Sequence, residues 1–432
     1  MQSMIEIVSG LERRIKLSIN ESDVKKEVQN QLKKLSKTAK ISGFRPGKVP
    51  INILSNTYAA NIRYDVITNM INDQFKKQID SSGLKIVGIP DIKPIDSNQD
   101  NNLIFDAKFY IYPEISLPDI KNLSIKHYIC NITDEDVNKT IDILRKQQAK
   151  YSVINNRAAK HEDKVVIDFE GTIDNIAFAG GQAKDFSFII GQKQMLEQFE
   201  SEIIGMLSGE QKSFSLQFPA DYHNKELSQK IAKFNVSLKS ISEPLLPPFD
   251  ENFIKSFGYK DIDLEHFKQI IKNNIEKESL IQIKNKNKFA IFSELISNTE
   301  FDLPKPLIDQ EIDNCISQMQ SEMKNYNENQ NREIPRDIFV EEASRRVKIG
   351  LLLSKIIEEY NLSVKFEEIQ ERINTLSKNY DHPEKFIKKY SSDTNFISNI
   401  KAIISEDKVI EYISQIAKMN DEIINFENLM RI

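Results

Sequence analysis

Apolar positions alternate along "LERRIKLSI", where Leu11, Ile15, Leu17 and Ile19 fall on one face of a strand. The period then changes: Val24, Val28, Leu32, Leu35 and Ala39 recur at helical spacing, with Ser22 or Asp23 available as a cap. Pro50 opens a second helical segment, which Gly83 stops. "LIFDAKFYIYPEI" returns to alternation, so residues 1–115 are predicted to form one α/β unit. Residues 116–150 add a strand, "LSIKHYIC", and a helix opened by Thr133 with acids in its first turn. Across 151–243 strand-like runs take over: "DKVVIDFEGTI", "DFSFIIGQ", "QKSFSLQFP" and "KIAKFNVSLKSI", a β module large enough to fold alone. "EPLLPPFDENF" can continue neither period, and residues 250–432 are predicted to be almost wholly helical, with no strand. Pro304 and Pro306 open one of the helices; Ile349, Leu352, Leu353 and Ile356 stripe another as helix–helix core. The fold class is α+β multidomain.

Composition narrows the chemistry. With 432 residues, 28% charged and a net charge of −5, no sign dominates, so any electrostatic partner site must be local. Cys130 and Cys315 stand alone, without metal-ligand spacing or a disulfide framework, as expected of a reducing compartment. The N-terminus lacks the unbroken apolar core of a signal peptide, and "IGLLLSKII" is too short to span a bilayer. No membrane partner and no cofactor are expected.

Local charge is concentrated at one place. From Val24 to Lys48 there are eight Lys or Arg residues against one acid, Glu27, ending in "ISGFRPGKVP". This stretch is no P-loop: Gly43 and Gly47 are one residue too close, and Val49 follows Lys48 where a hydroxyl is needed. Lysines off the apolar stripe suit phosphate contacts, and Phe44 beside Arg45, held between Gly and Pro, suits an interface anchor. "GFRPGKVP" resembles the ribosome-docking signature of the trigger factor family, chaperones that meet nascent chains at the ribosomal exit. The resemblance implies that Phe44, Arg45 and Lys48 contact a protein of the large subunit and adjacent ribosomal RNA. Where that family commonly has Phe-Arg-Lys, this chain has Phe44-Arg45-Pro46.

The β module carries no Ser-His pair, no His cluster and no spaced pair of carboxylates. It carries aromatics, and by pattern alone these fit a plain sheet core. Their order, however, is similar to the FKBP-type prolyl isomerases: "DFEGTIDNIAF" to a strand and its turn, "GQKQMLEQFE" to the entry of the single helix, "FPADYH" to the tyrosine-bearing segment. The resemblance implies a proline pocket of Phe169, Phe178, Met195, Leu196, Phe199, Tyr222 and Phe234, with Phe186 on its rim. Departures from the family pattern are Ala179, where an acid is usual, and Glu197-Gln198, where Pro-Gly is usual.

Resemblance to trigger factors extends over essentially the whole chain. It implies an N-terminal ribosome-binding domain (1–115), an inserted isomerase (151–243), and a discontinuous helical chaperone domain with arms, built from 116–150 and 244–432. Clients would be unfolded nascent polypeptides, with Met319, Met323 and Phe339 as adaptable contacts, and the free protein would dimerise. Without an ATP motif, client binding must be weak and fast, on the order of micromolar. Two other readings fit parts of the pattern. One is a free isomerase with a helical scaffold; the other is a general RNA-binding protein, although no RRM or KH pattern is present.

Overall fold

Alternation does become strand. The computed structural model describes residues 5–39, 50–95, 102–174, 176–220, 222, 224–225, 227–260, 262–325, 334–378 and 380–430. Strands β1 (Glu6–Ser9) and β2 (Glu12–Asn20) join through Gly10, whose φ of +47° no β-branched residue would tolerate. Helices α1 (Glu21–Thr38) and α2 (Ile51–Ser82) follow, then β3 (Ile86–Ile95) and β4 (Asn102–Ile111). The antiparallel sheet has the order β1-β2-β4-β3. Its inner face, Ile15, Leu17, Ile19, Ala107 and Phe109, packs on Val66, Ile71, Phe75 and Ile79 of α2.

Two local expectations are corrected here. The cap of α1 is Asn20, whose side chain accepts from the Ser22 N–H at 2.9 Å, not Ser22 or Asp23. Strand β3 was not predicted, because Gly88, Pro90 and Pro94 break its alternation. It tolerates them as an edge strand, where a missing N–H costs no ladder bond. Gly83 ends α2 in the left-handed conformation at φ 69°, as its position predicts.

Residues 1–127 with 286–422 form one compact unit, and 128–285 with 423–432 a second. The second unit begins at Tyr128, within β5 (Ser124–Ile129), and continues into α3 (Asp134–Gln147), opened by a capping box between Thr133 and Asp136. Strands β6 (Lys150–Ile154), β7 (Lys164–Ile173) and β8 (Ile176–Ile189) precede the short helix α4 (Glu197–Ile203). Then come β9 (Gln211–Gln217), the long β10 (Ile231–Leu245), α5 (Glu251–Ser256) and α6 (Leu264–Ser297). The five-stranded sheet runs β6-β10-β7-β8, with β9 also on β10. Val165, Ile167, Phe188, Phe199, Ile203, Val236 and Leu238 fill the space between its inner face and α4. Val137 and Ile141 of α3 form a separate core with Phe253, Ile254 and Phe267.

The remaining helices are α7 (Lys305–Asn325), α8 (Val340–Glu359), α9 (Phe366–Ser377), α10 (Pro383–Tyr390) and α11 (Thr394–Ile416). They precede β11 (Lys418–Ile423) and α12 (Phe426–Met430). Leu352 and Ile356 of α8 are buried with Ile291, Leu295, Val409 and Ile413, and Ile349 and Leu353 pack beside them. The stripe is core, as its spacing predicts. The expectation that 250–432 holds no strand is overturned by β11. "KMNDEI" has no alternation to read, and it is a strand because it pairs with β5. Among the described residues, no helix is long and apolar enough to cross a membrane, and Cys130 and Cys315 are both free.

Candidate functional site

In β7 the two-residue period aims Val165, Ile167 and Phe169 inward and brings Gly171 opposite Phe234 of β10. A Cβ at Gly171 would lie 2.5 Å from Cε1 of Phe234, so only glycine lets that ring lie flat against the neighbouring strand. Phe234 thereby reaches Phe199 at 5.3 Å, and Phe169 and Phe178 at 6.2 Å, between ring centroids. Phe169 in turn meets Phe199 at 5.8 Å and Phe186 at 5.9 Å. These separations and the mostly edge-to-face angles are those at which aromatic quadrupoles attract.

Strand β8 leaves regular pairing twice, and each departure delivers one ring. Phe178, Ala179, Gly180 and Gly181 stand opposite Gly171 alone. Gly180 turns the chain at φ 79°, and a Cβ on Gly181 would come within 2.9 Å of the Phe178 ring. Phe178 then packs on Phe218 at 6.0 Å. Further along, Lys184 and Asp185 together oppose Asp168, after which Phe186 faces inward.

The turn before α4 is tied from inside. Glu200 is only 5% exposed, and its carboxylate accepts the N–H of Gly191 at 2.6 Å and of Met195 at 3.1 Å. Both buried oxygens are thus satisfied, and the turn that carries Met195 and Leu196 is held to the helix that carries Phe199. Gly191, at φ 95°, has no room for a side chain because the His161 imidazole lies against it. On the remaining side, the Tyr222 N–H donates to the Pro219 carbonyl at 3.2 Å, and its ring lies 4.7 Å from Phe218.

All eight predicted pocket residues therefore meet in one cluster. Phe169, Phe199 and Phe234 are buried, while Phe178, Phe186, Met195, Leu196 and Tyr222 are partly exposed around them. Ala179, Glu197 and Gln198 are exposed. A cleft of about 570 Å³ adjoins the cluster along Leu196, Gln198, Gln217, Phe218 and Pro219. None of the eight side chains is a carboxylate, imidazole, thiol or amine, and Tyr222 alone carries a hydroxyl.

Such a surface suits a reaction that needs no covalent step. Twisting an X–Pro amide removes the resonance that charges its carbonyl oxygen, against a barrier of roughly 18–20 kcal/mol. A dry apolar wall favours that less polar twisted state over the planar one. Glu200, Gly171 and Gly181 escaped sequence reasoning, although the strand-interior glycines of "FEGT" and "AGGQ" carried a signal of close approach.

Elsewhere the predicted residues are dispersed. Phe44, Arg45 and Lys48 lie outside the described residues. The helices on either side of them are described: Leu32, Ala39 and Leu54 form a small core, and Arg63 of α2 grips Glu21 of α1 with two bonds of 2.6 and 2.9 Å. That grip raises the Arg63 pKa and lowers that of Glu21. Lys25, Lys26, Lys33, Lys34 and Lys37 are all exposed along α1. Met319 is 37% exposed on α7, while Met323 and Phe339 are half-buried. Among the described residues no group of three His, Cys, Asp or Glu could hold a metal ion.

An antiparallel sheet on one short helix, with a cluster of aromatic rings packed between them, is the frame of a peptidyl-prolyl isomerase module of the FKBP type. Residues 155–239 match the family model described as FKBP-type peptidyl-prolyl cis-trans isomerase. Residues 1–144 match that of bacterial trigger factor protein, and 263–415 that of its C-terminus. The trigger factor of Bordetella avium is 39% identical over 433 residues, covering 100% of this chain and 99% of that protein. Those of Acidovorax sp. (strain JS42) and Laribacter hongkongensis are 35% and 34% identical, with the same coverage. The chain belongs to the trigger factor family. It is a molecular chaperone with a ribosome-binding N-terminal domain and an FKBP-type isomerase domain.

Proposed function

We propose that Phe169, Phe178, Phe186, Met195, Leu196, Phe199, Tyr222 and Phe234 bind the prolyl ring of a client. The observation that carries this reading is their convergence: five partly exposed side chains surround three buried rings in one cluster. The five partly exposed side chains form the surface a prolyl ring meets, and the buried rings back them. The Tyr222 hydroxyl orients the carbonyl before the proline. Ala179 leaves the rim beside Phe178 without the usual carboxylate, so rotation relies on desolvation.

Ribosome docking falls to the segment between α1 and α2. Phe44 and Arg45 anchor on a protein of the large subunit at the polypeptide exit, Lys48 meets ribosomal RNA, and the exposed lysines of α1 add phosphate contacts. Clients meet apolar side chains left open on the helices, Met319 among them, with Met323 and Phe339 yielding as they pack. Free of the ribosome the chain forms homodimers, and it works in the cytoplasm.

Two measurements test this reading separately. Ribosome co-sedimentation across a salt series compares wild type with Phe44→Ala/Arg45→Ala/Lys48→Ala; selective loss in the variant supports docking, and equal binding overturns it. A protease-coupled peptide assay of Phe186→Ala, a half-exposed rim position, tests the pocket. Unchanged turnover there overturns the prolyl assignment while leaving docking intact.

A further inference from the structure

We propose that Asp168, Lys239 and Asp185 form a clamp on the outer face of the isomerase sheet that positions Phe186 on the rim of the prolyl cleft. The proposal rests on the pocket reading above. Phe186 and Phe188 of β8 and Ile190 just beyond it are two residues apart and share the inner face, yet Ala183, three residues before Phe186, packs into the same core. Regular alternation would put Ala183 and Phe186 on opposite faces. One additional residue reconciles them, because Lys184 and Asp185 both oppose Asp168. Remove that extra residue and either Phe186 leaves the cleft or the preceding stretch of β8 turns outward.

Asp185 sits at this bulge with φ 53°, a left-handed conformation that a non-glycine residue keeps only where its surroundings hold it. Asp168 holds it: Oδ1 accepts the Asp185 N–H at 2.7 Å and lies 2.8 Å from Lys239 Nζ. Lys239 Nζ also donates to Asp185 Oδ1 at 2.6 Å. Lys239 is itself the extra residue of a second bulge, since Leu238 pairs with Ile167 and Ser240 with Val166. That bulge turns Lys239 outward on β10, the strand beside β7. Two irregularities on either side of β7 are thus pinned through one ammonium group. The hydrogen bond to Lys239 and then that from Asp185 lower the Asp168 pKa, and the two aspartates raise that of Lys239. Each contact alone, half-exposed, would contribute little. Their convergence on one strained residue gives them a geometric task.

A double-mutant cycle tests this in the full chain. Asp168→Ala is expected to lower kcat/KM for a short X–Pro peptide about fivefold, the scale on which ion pairs of this kind act. In a Phe186→Ala background the same substitution should change nothing further. Lys239→Met should reproduce the loss and Lys239→Arg should restore most of the turnover, with thermal unfolding followed in parallel. Should Asp168→Ala unfold the module, the Lys239 pair carries the test alone. Equal losses from Asp168→Ala with and without Phe186 overturn the clamp, as does unchanged turnover in Asp168→Ala and Lys239→Met. Unchanged turnover in Phe186→Ala alone overturns the pocket reading, and the clamp with it.

Discussion

The isomerase module and the helical region from α7 to α11 both leave apolar side chains partly open, but they do so in opposite ways. In the module, rings from β7, β8, α4 and β10 converge, and each is aimed by a specific backbone device: Gly171, the Phe178–Gly181 insertion, the Asp185 bulge and the Glu200 tie. Met319 of α7 and Ile403 of α11 are exposed singly, and Ile338 and Val340 are exposed together where α8 begins. A prolyl ring varies in little but its pucker and so has nearly one shape, and a site for it rewards preorganisation. Unfolded clients have none in common, so their sites must stay adaptable and individually weak.

If that contrast holds, the buried rings of the module should be the most sensitive positions. Phe199 is 1% exposed and contacts Phe169, Phe214 and Phe234. Phe199→Ala should therefore cost about 3–5 kcal/mol through the cavity it leaves, enough to unfold the module outright. Isomerase activity would vanish, but for a structural reason, and chemical denaturation would reveal it. Phe199→Leu keeps most of the volume. We expect it to fold and to lose more than tenfold in turnover; wild-type turnover would reduce Phe199 to packing.

Next in size is the buried carboxylate of the same module and its part-exposed arginine partner. Asp163, 1% exposed, accepts from Arg157 at 2.6 and 2.9 Å and from the Lys160 N–H at 2.8 Å. Burial pushes its pKa up, but Arg157 and the Lys160 N–H outweigh burial and leave it lowered. A lowered carboxylate stabilises above its unfolded pKa, and that stabilisation is lost as pH falls through the folded value. Asp163→Asn should thus destabilise by about 2–4 kcal/mol at pH 7, and the difference from wild type should shrink steadily below about pH 4. Urea titrations at pH 7 and pH 3 check this. A pH-independent difference would mean that the charge itself is idle.

Glu200→Gln sharpens the comparison within the cleft. The amide keeps one acceptor and loses the other, so either the Gly191 or the Met195 N–H goes without its partner. Stability should fall by about 1–2 kcal/mol. Isomerase activity should fall further in proportion, about tenfold, because Met195 and Leu196 lose their anchor. Peptide turnover measured well below the unfolding midpoint separates the two effects.

The contrast also explains what was legible beforehand. Alternation and helical spacing report the face a residue takes within a regular element, so β2, α1, α8 and the inner face of β7 could be read directly. Devices that suspend the period could not. Strand β3 hides behind two prolines it tolerates only as an edge, and β11 is defined by its pairing with β5. The cap of α1 fell to Asn20 because strand and helix abut without a linker. That the eight aromatic and apolar residues belong together was suggested by family resemblance, and they do meet in one cluster. The bulges that bring Phe178 and Phe186 to the others were not legible, since register depends on residues far along the chain.

The smallest effects on stability should come from the helices, and they test the other half of the comparison. Ile338 is 67% exposed just before α8, and Met319 lies on α7. Replacing either by serine removes no buried contact of consequence, so unfolding should shift by less than about 0.5 kcal/mol. Client holding, read as suppression of aggregation of an unfolded protein, should weaken about two- to threefold for each single change. Dispersed weak contacts on independent positions add in free energy, so the double variant should lose the product of the two factors. A full loss from either single change would mean that the helices, like the isomerase module, concentrate recognition at one point.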